Sequence, residues 1–208
     1  MNHVETIPIC SNTLFVYKLD IKEDLTLKFK KEKIIKSTHN QTSTGADGAS
    51  LMSEDLNILR KYKNLNQEIN KAVDVTLKEI LKLENINYRI TGSWLTKAKP
   101  KGFSNSHFHR NSWLSGVYYP KGDPGFNITF YHDHTSTFYT PPTEFNIYNS
   151  DNWWFSVKTG DIVLFPSSLV HMVEPKKGDN TRISLSFNIF IKGTIGTNDM
   201  LNELIIHG

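Results

Sequence analysis

The sequence predicts a mainly β protein, a double-stranded β-helix or jelly roll, with helices flanking its N-terminal side. After residue 86 the chain consists of short apolar and aromatic runs separated by Gly, Pro, Asn and Asp, which is typical of antiparallel strands joined by turns. Before residue 86 the strongest periodicity is helical. With 208 residues, 38% of them hydrophobic and 22% charged, the chain is long enough for one domain with a sizeable core.

We expect a single domain over residues 1–208, in which an N-terminal helical supporting region, 1–86, precedes a jelly-roll core, 87–193. Within the first region, an apolar segment and then an amphipathic run over residues 12–36 predict a strand followed by a helix. Residues 39–50 are rich in Ser, Thr, Asn and Gly and show no hydrophobic periodicity, so they predict a loop.

The best helix of the sequence is predicted to start at Ser53, because its hydroxyl can cap free backbone N–H groups and two acidic residues follow it. Apolar residues then recur at steps of three and four positions and form one face. These residues are Leu65, Ile69, Ala72, Val73, Leu77, Ile80 and Leu83. We expect this face to pack against the sheet of its own chain; the alternative is an interface in a homodimer.

Six runs after residue 86 predict strands, and about eight strands in all would fit a jelly roll or a related sandwich or barrel. The runs are NYRITGSWL, WLSGVYYP, FNITFYH, WWFSVK, DIVLFP and RISLSFNIFIKG. The segment that contains Pro141 and Pro142 predicts a long loop between strands, where enzymes often hold their specificity elements.

Composition and charge exclude several classes of protein. The single cysteine, Cys10, cannot form an internal disulfide, which favours a reducing, cytoplasmic location. The chain shows no basic leader followed by an apolar segment, and no run is long enough to span a membrane. The lysine run over residues 28–36 is interrupted by apolar residues, as in a solvated helix face. We therefore expect neither a membrane nor a nucleic-acid partner.

Two H-x-H pairs offer metal ligands: His107 with His109, and His132 with His134. Residues two apart in a strand point to the same face, so either pair could hold one metal ion with two imidazoles. The third ligand must then come from another part of the chain. For His132 or His134 alone, a hydrogen-bonded structural role is the simpler expectation.

His171 is the natural third ligand, because it closely follows a turn that enters a buried strand over residues 160–166. Eleven residues later, Arg182 begins an alternating strand that places Arg182, Ser184 and Ser186 on one face. A planar guanidinium can bind a carboxylate through two hydrogen bonds, and a serine hydroxyl on the same face can add another. The alternative for Arg182 is a plain ion pair.

Three segments resemble the core motifs of the Fe(II)/2-oxoglutarate-dependent oxygenase superfamily. They are HFHRNSWLSGVYYP, GDIVLFPSSLVHMVEP and TRISLSFNIFIKG. The sequence is especially similar to a branch of small oxygenases in which an H-x-H pair is followed by S-G-V-Y-Y. The resemblance covers residues 88–193, and the preceding part of the chain matches only in general layout.

The resemblance implies that His107 and His109 form the metal pair and that His171 completes an Fe(II) site. In most of the superfamily the second member of this pair is a carboxylate, which gives a facial triad of two histidines and one carboxylate. His109 at that position would leave the site one unit more positive. Asp133 or a water molecule could complete the metal shell instead.

The same resemblance implies that Arg182, with Ser184 and Tyr119, binds the far carboxylate of 2-oxoglutarate. The implied enzyme is a dioxygenase that uses Fe(II), 2-oxoglutarate and molecular oxygen to hydroxylate a C–H bond. Its primary substrate is open, with a protein or amino-acid side chain slightly favoured by the placement of Tyr119. Two alternatives stand beside it: a cupin-like three-histidine metalloenzyme that does not use 2-oxoglutarate, and a non-catalytic jelly-roll binding module.

Overall fold

The structure is a computed structural model of the chain. It describes residues 11–19, 21–36, 50–83, 86–122, 126–132, 140–175 and 179–207. The predicted loop over residues 39–50 therefore lies, except for Ser50, outside the described residues, and so do Asp133 and His134. None of the helices in the described ranges is long and apolar enough to cross a membrane.

The N-terminal part contributes both strands and helices to the fold. Its elements are β1 (Phe15–Lys18), α1 (Leu25–Lys30), β2 (Ile34–Lys36), β3 (Leu51–Ser53), a 3₁₀ helix (Ile58–Lys61), α2 (Lys63–Asp74) and a π-helical stretch (Val75–Ile80). The predicted strand followed by a helix is confirmed by β1 and α1. The division of the chain into a supporting region and a core stays a prediction.

The predicted helix start at Ser53 is wrong. Ser53 ends β3, its hydroxyl donates to the backbone carbonyl of Asp55 at 2.7 Å, and the hydroxyl oxygen accepts the Leu95 N–H at 2.9 Å. β3 pairs with both β2 and the strand Asn87–Ala98. The Ser53 hydroxyl therefore stabilises the sheet rather than a helix terminus. The α-helix begins only at Lys63.

The part of the chain after residue 86 contains the other nine strands of the described residues. They are β4 (Asn87–Ala98), β5 (Ser104–His107), β6 (Leu114–Tyr118), β7 (Asn127–Tyr131), β8 (Asn152–Ser156), β9 (Asp161–Pro166), β10 (His171–Val173), β11 (Arg182–Ile195) and β12 (Leu204–Ile206). All six predicted runs form strands, which confirms the mainly β, jelly-roll class.

The strands form two sheets of unequal size. The major sheet has the order β1-β9-β6-β11-β4-β3-β2, with β12 paired to β11, and the minor sheet has the order β5-β10-β7-β8. Every pair of strands within the described residues is antiparallel. The chain thus passes repeatedly from one sheet to the other, and both sheets line the space between them.

One hydrophobic core lies on the outer face of the major sheet, where α1 and α2 cover it. On β11 it includes Ile183, Leu185, Phe187 and Ile189, and on α2 it includes Leu65, Ile69, Ala72 and Val73. The predicted helical face thus packs against the sheet of its own chain, and homodimerisation stays a prediction. Ile80 was expected on this face but is 52% exposed, because the wider π-helical turn from Val75 shifts the residues that follow out of phase.

A second, smaller core lies between the two sheets. Its buried members are Val117, Tyr119, Phe126, Ile128, Phe130, Val157, Val163, Phe165 and Leu169. Since side chains alternate along a strand, the residues of β11 that face this inner space are Arg182, Ser184, Ser186 and Asn188. The inner face of β11 is therefore polar inside an otherwise apolar space, which is where a binding site is expected.

The S-G-V-Y-Y segment serves both faces of the major sheet. Gly116 lies on the outer face, and a Cβ at this position would overlap the rings and methyl groups of Phe187 and Leu164. Tyr118 joins the outer core, whereas Val117 and Tyr119 join the inner one. Ser115, which precedes this glycine, also faces inward and forms part of the site described below.

Candidate metal centre

The strand pairing of the minor sheet brings two of the predicted ligands together. His107 at the end of β5 is the direct partner of His171 in β10, and their ring centroids are 4.4 Å apart. His109 lies two residues beyond His107, and its backbone N–H donates to the Ser167 carbonyl at 2.9 Å. The His109 ring is 5.2 Å from each of the other two rings, and one ligand nitrogen of each histidine lies within 4.8 Å of the others.

Hydrogen bonds at Nδ1 orient the three rings. His107 Nδ1 lies 2.6 Å from the Asn105 carbonyl, and His171 Nδ1 lies 2.9 Å from the Leu169 carbonyl. A carbonyl oxygen only accepts, so both rings carry their proton on Nδ1 and keep the Nε2 lone pair for a metal. Nitrogens bound to one ion at about 2.1 Å are about 3 to 3.5 Å apart, so we expect small ring rotations to complete such a site.

Burial differs across the three histidines. His171 is 3% exposed, with its ring 4.8 Å from Phe165 and 6.0 Å from Phe130, whereas His107 is exposed at the end of its strand. Burial, followed by the nearby His107, lowers the pKa of His171 to about 3. His171 is therefore a neutral imidazole, which is the form that binds metals, and the centre opens toward solvent on the side of His107.

A chain of polar side chains lies behind His109. Asn188 Oδ1 accepts from His109 Nδ1 at 2.6 Å and from the Ser115 hydroxyl at 2.9 Å. The Ser115 hydroxyl is also 2.8 Å from the Ser167 hydroxyl. The sequence motifs alone did not predict a role for Asn188, Ser115 or Ser167. The alternation from Arg182 through Ser184 and Ser186 would have placed Asn188 on the same inward face of β11.

The aromatic residues near the pair have different positions. Trp94 stacks on the His109 ring at 5.8 Å with an interplanar angle of 24°, so it forms one wall of the centre. Trp113 packs against the outer core instead, on the opposite side of the major sheet. Trp153 lies opposite Phe130 in the β7–β8 pair and stacks on Trp154 at 4.6 Å, at the edge of the minor sheet.

Arg182 lies at the other end of the inner core. It is 3% exposed, its guanidinium is 5.7 Å from the centroid of the Phe126 ring, and burial lowers its pKa. Burial raises the pKa of Tyr119 to about 12, and the nearby positive charge of Arg182 opposes that rise. Ser184 is buried two residues along the same face. In the part of the chain that the structure describes, no carboxylate forms an ion pair with Arg182.

The structure thus groups the predicted residues into two sets. His107, His109 and His171 form the only cluster of three or more ligand-type side chains found among the described residues, and no carboxylate belongs to it there. Arg182, Ser184 and Tyr119 form a second set at the other end of the same inner core. His132 is not part of the cluster, and the second H-x-H pair cannot be followed because His134 lies outside the described residues.

These features define a jelly-roll protein with a three-histidine metal centre and a buried arginine in the same inner space. Residues 92–188 match a family model described as "Putative 2OG-Fe(II) oxygenase". Over these residues, just under half of the chain, the sequence is similar to the 2-oxoglutarate-Fe(II) oxygenase family, as the resemblance of its motifs predicted. No curated protein sequence matches the chain.

Solved structures show the same fold at low sequence identity. A prolyl-4-hydroxylase from Pseudomonas putida is 13% identical, with a TM-score of 0.57 over 86% of this chain and 92% of that one. HygX from Streptomyces hygroscopicus, solved with nickel and 2-oxoglutarate, is 10% identical, with a TM-score of 0.58 over 86% and 82%. The epimerase SnoN from nogalamycin biosynthesis is 12% identical, with a TM-score of 0.61 over 86% and 78%.

Proposed function

We propose that the protein is an Fe(II)- and 2-oxoglutarate-dependent dioxygenase. In the proposed reaction, 2-oxoglutarate, molecular oxygen and a substrate C–H bond give succinate, carbon dioxide and the hydroxylated substrate. His107, His109 and His171 would hold the iron. Arg182, with Ser184 and Tyr119, would bind the far carboxylate of 2-oxoglutarate.

The observation that carries the proposal is the buried guanidinium of Arg182. A buried charge is costly unless it is paired, and the described residues provide no carboxylate for it. A ligand carboxylate would supply the missing partner through two charge-assisted hydrogen bonds. The Tyr119 hydroxyl, which burial keeps protonated, would add a neutral donor beside it.

The inner core connects this guanidinium to the metal centre. Phe126, under Arg182, belongs to the same apolar cluster as Phe130 and Phe165, which pack against His171. A ligand that spans this cluster needs a carboxylate at one end and metal-chelating oxygens at the other. 2-Oxoglutarate carries both of these groups. The apolar residues of the cluster would exclude water from the space between the guanidinium and the metal centre.

Three imidazoles fit a divalent transition metal such as iron, because imidazole is a ligand of intermediate softness. A hydrogen bond at Nδ1 also fixes the orientation of each ring. When bound, the metal and 2-oxoglutarate supply the oxidising chemistry. The chain supplies the ligands, the orientation of 2-oxoglutarate by Arg182 and a largely apolar pocket. The opening beside the exposed His107 would admit the second substrate.

We further propose that the second substrate is a protein or amino-acid side chain. Its support is the placement of Tyr119, which resembles that in prolyl-hydroxylase-like enzymes. The structural neighbours include a prolyl-4-hydroxylase and an epimerase, so the fold itself admits several reactions. Stimulation of succinate formation by peptides, measured against free sugars and nucleosides, would test this part.

A second candidate function is a three-histidine metalloenzyme that does not use 2-oxoglutarate. It is favoured by the absence of a carboxylate from the histidine cluster among the described residues. Thermal unfolding distinguishes the two candidates, because a ligand that binds only the folded protein raises the melting temperature.

The test uses protein loaded with Mn(II) under anaerobic conditions. We expect Mn(II) to raise the melting temperature and 2-oxoglutarate to raise it further, whereas glutarate, which lacks the chelating 2-oxo group, should have a much smaller effect. A shift with Mn(II) but none with 2-oxoglutarate would support the second candidate and contradict the first.

A further inference from the structure

The side chain of Asn188 is hydrogen-bonded to His109, one of the three candidate metal ligands. The protons of His107 and His171 are placed by backbone carbonyls, which cannot change their role. The proton of His109 is placed by a side-chain amide, since its Nδ1 lies 2.6 Å from Asn188 Oδ1. An amide can present either an oxygen acceptor or an N–H donor, so the orientation of Asn188 decides the tautomer of His109.

The tautomer decides whether His109 can be a ligand. With Oδ1 toward the ring, the His109 proton lies on Nδ1 and the Nε2 lone pair is available to a metal. With the amide nitrogen toward the ring, Nδ1 would have to accept and Nε2 would carry the proton. A protonated Nε2 cannot bind a metal, so the amide oxygen must face His109 for a third imidazole to bind.

Two serines continue the hydrogen-bond chain behind this amide. Ser115 donates its hydroxyl proton to Asn188 Oδ1 at 2.9 Å, and both serine side chains are buried. Because the Ser115 proton is used there, the Ser115 oxygen accepts from the Ser167 hydroxyl at 2.8 Å. Ser167 also accepts the His109 N–H through its backbone carbonyl. The same residues therefore fix both the backbone and the ring of His109.

We propose that Asn188 is a positioning residue that makes His109 a metal ligand by holding its Nδ1 proton, with the Ser115 hydroxyl as a second donor to the same amide oxygen. The proposal rests on the proposed function, since it concerns the same metal centre. It also accounts for an imidazole at the position where most of the superfamily has a carboxylate. A carboxylate is an acceptor in any rotamer, whereas a histidine needs a defined proton on its far nitrogen.

The test compares substitutions at Asn188 for Co(II) binding and for the histidine tautomer. Asn188→Leu removes the acceptor, and we expect about 10- to 100-fold weaker Co(II) binding, which is the usual effect of losing an outer-shell partner. Asn188→Asp keeps an acceptor toward His109 and should bind Co(II) at least as tightly as the original chain. Asn127→Leu, which removes an amide with an exposed hydrogen bond at the start of β7, is the matched control and should leave Co(II) affinity unchanged.

Nuclear magnetic resonance of histidine-labelled, metal-free protein provides a readout that is independent of activity. Long-range proton–nitrogen correlations distinguish the two tautomers of each ring. We expect His109 to carry its proton on Nδ1 in the original chain and in Asn188→Asp, and to lose this preference in Asn188→Leu. His171, held by a backbone carbonyl, should keep its tautomer in all variants.

Unchanged Co(II) affinity and an unchanged His109 tautomer in Asn188→Leu would overturn the proposal. Equal loss of Co(II) binding in Asn188→Asp and Asn188→Leu would also overturn it, because the acceptor role would then explain nothing. If Asn188→Leu does not fold, the Co(II) affinity of Asn188→Asp decides instead. More than tenfold weaker Co(II) binding by Asn188→Asp would contradict the proposal. If the original chain itself does not bind Co(II), the proposed function fails, while the tautomer measurement still decides the role of Asn188.

Discussion

Replacement of Arg182 by methionine should stabilise the metal-free protein while it strongly weakens 2-oxoglutarate binding. Arg182 is 3% exposed, and among the described residues no carboxylate pairs with it. Methionine has a similar length and fits the apolar side of the space, where Phe126 lies 5.7 Å from the guanidinium. Removing a buried charge that has no carboxylate partner among the described residues should raise the free energy of unfolding by about 1 to 3 kcal/mol. For a chain of this size, each kcal/mol raises the melting temperature by about 2 to 4 °C.

The effect on 2-oxoglutarate should have the opposite sign. A hydrogen bond to a charged group contributes about 1.5 to 3 kcal/mol, and a guanidinium makes two of them with a carboxylate. Loss of at least about 3 kcal/mol weakens binding by roughly 100-fold or more. The same substitution therefore raises the melting temperature without ligand and removes the increase caused by 2-oxoglutarate.

Calorimetric unfolding of the Mn(II)-loaded protein under anaerobic conditions measures both effects, with and without 2-oxoglutarate. Arg182→Lys is the control, because it keeps the charge but loses the planar pair of donors. It should weaken 2-oxoglutarate binding without the gain in stability. An undiminished 2-oxoglutarate shift in Arg182→Met would refute the role of this residue, and a strongly destabilised metal-free variant would refute the claim that its charge is unpaired.

Three further predictions concern the metal centre and the outer face of the major sheet. His171→Ala should abolish detectable Co(II) binding in equilibrium dialysis, whereas His207→Ala should bind normally; Co(II) binding by the first variant would contradict the ligand assignment. Gly116→Ala should lower the free energy of unfolding in urea by about 1 to 3 kcal/mol, because the added methyl group overlaps Phe187, and an unchanged unfolding midpoint would contradict this packing. Ile69→Ala in α2 should cost about 2 to 5 kcal/mol in the same assay, since Ile69 is fully buried in the outer core, and a loss below about 1 kcal/mol would mean that the helix does not pack there.

The longer strands could be predicted from the sequence, because their alternation and turn residues are local signals. β5 and β10 were not among the predicted runs, although they hold His107 and His171. They are four and three residues long, respectively, and β5 has the polar sequence SNSH. Their pairing depends on the register between distant segments, which a local pattern does not contain. The same holds for Ser53, whose local cap signal was overridden by sheet pairing.

The candidate site could be predicted in part. The spacing of His171 and Arg182 and the H-x-H pair are sequence signals, and alternation along β11 would have added Asn188. The acceptors of His107 and His171 could not be predicted, because they are backbone carbonyls of Asn105 and Leu169, and backbone carbonyls look alike in any sequence. Their selection depends on the local chain path two residues before each histidine.

The central claim is that the three-histidine centre and Arg182 together support oxidation with 2-oxoglutarate. Its most direct test is the conversion of 2-oxoglutarate to succinate by the full chain in the presence of Fe(II) and oxygen. We predict succinate formation that requires both Fe(II) and oxygen and that is lost in His171→Ala and in Arg182→Met. Succinate formation that persists in these variants, or none in the Fe(II)-loaded original chain across a broad set of candidate substrates, would contradict the claim.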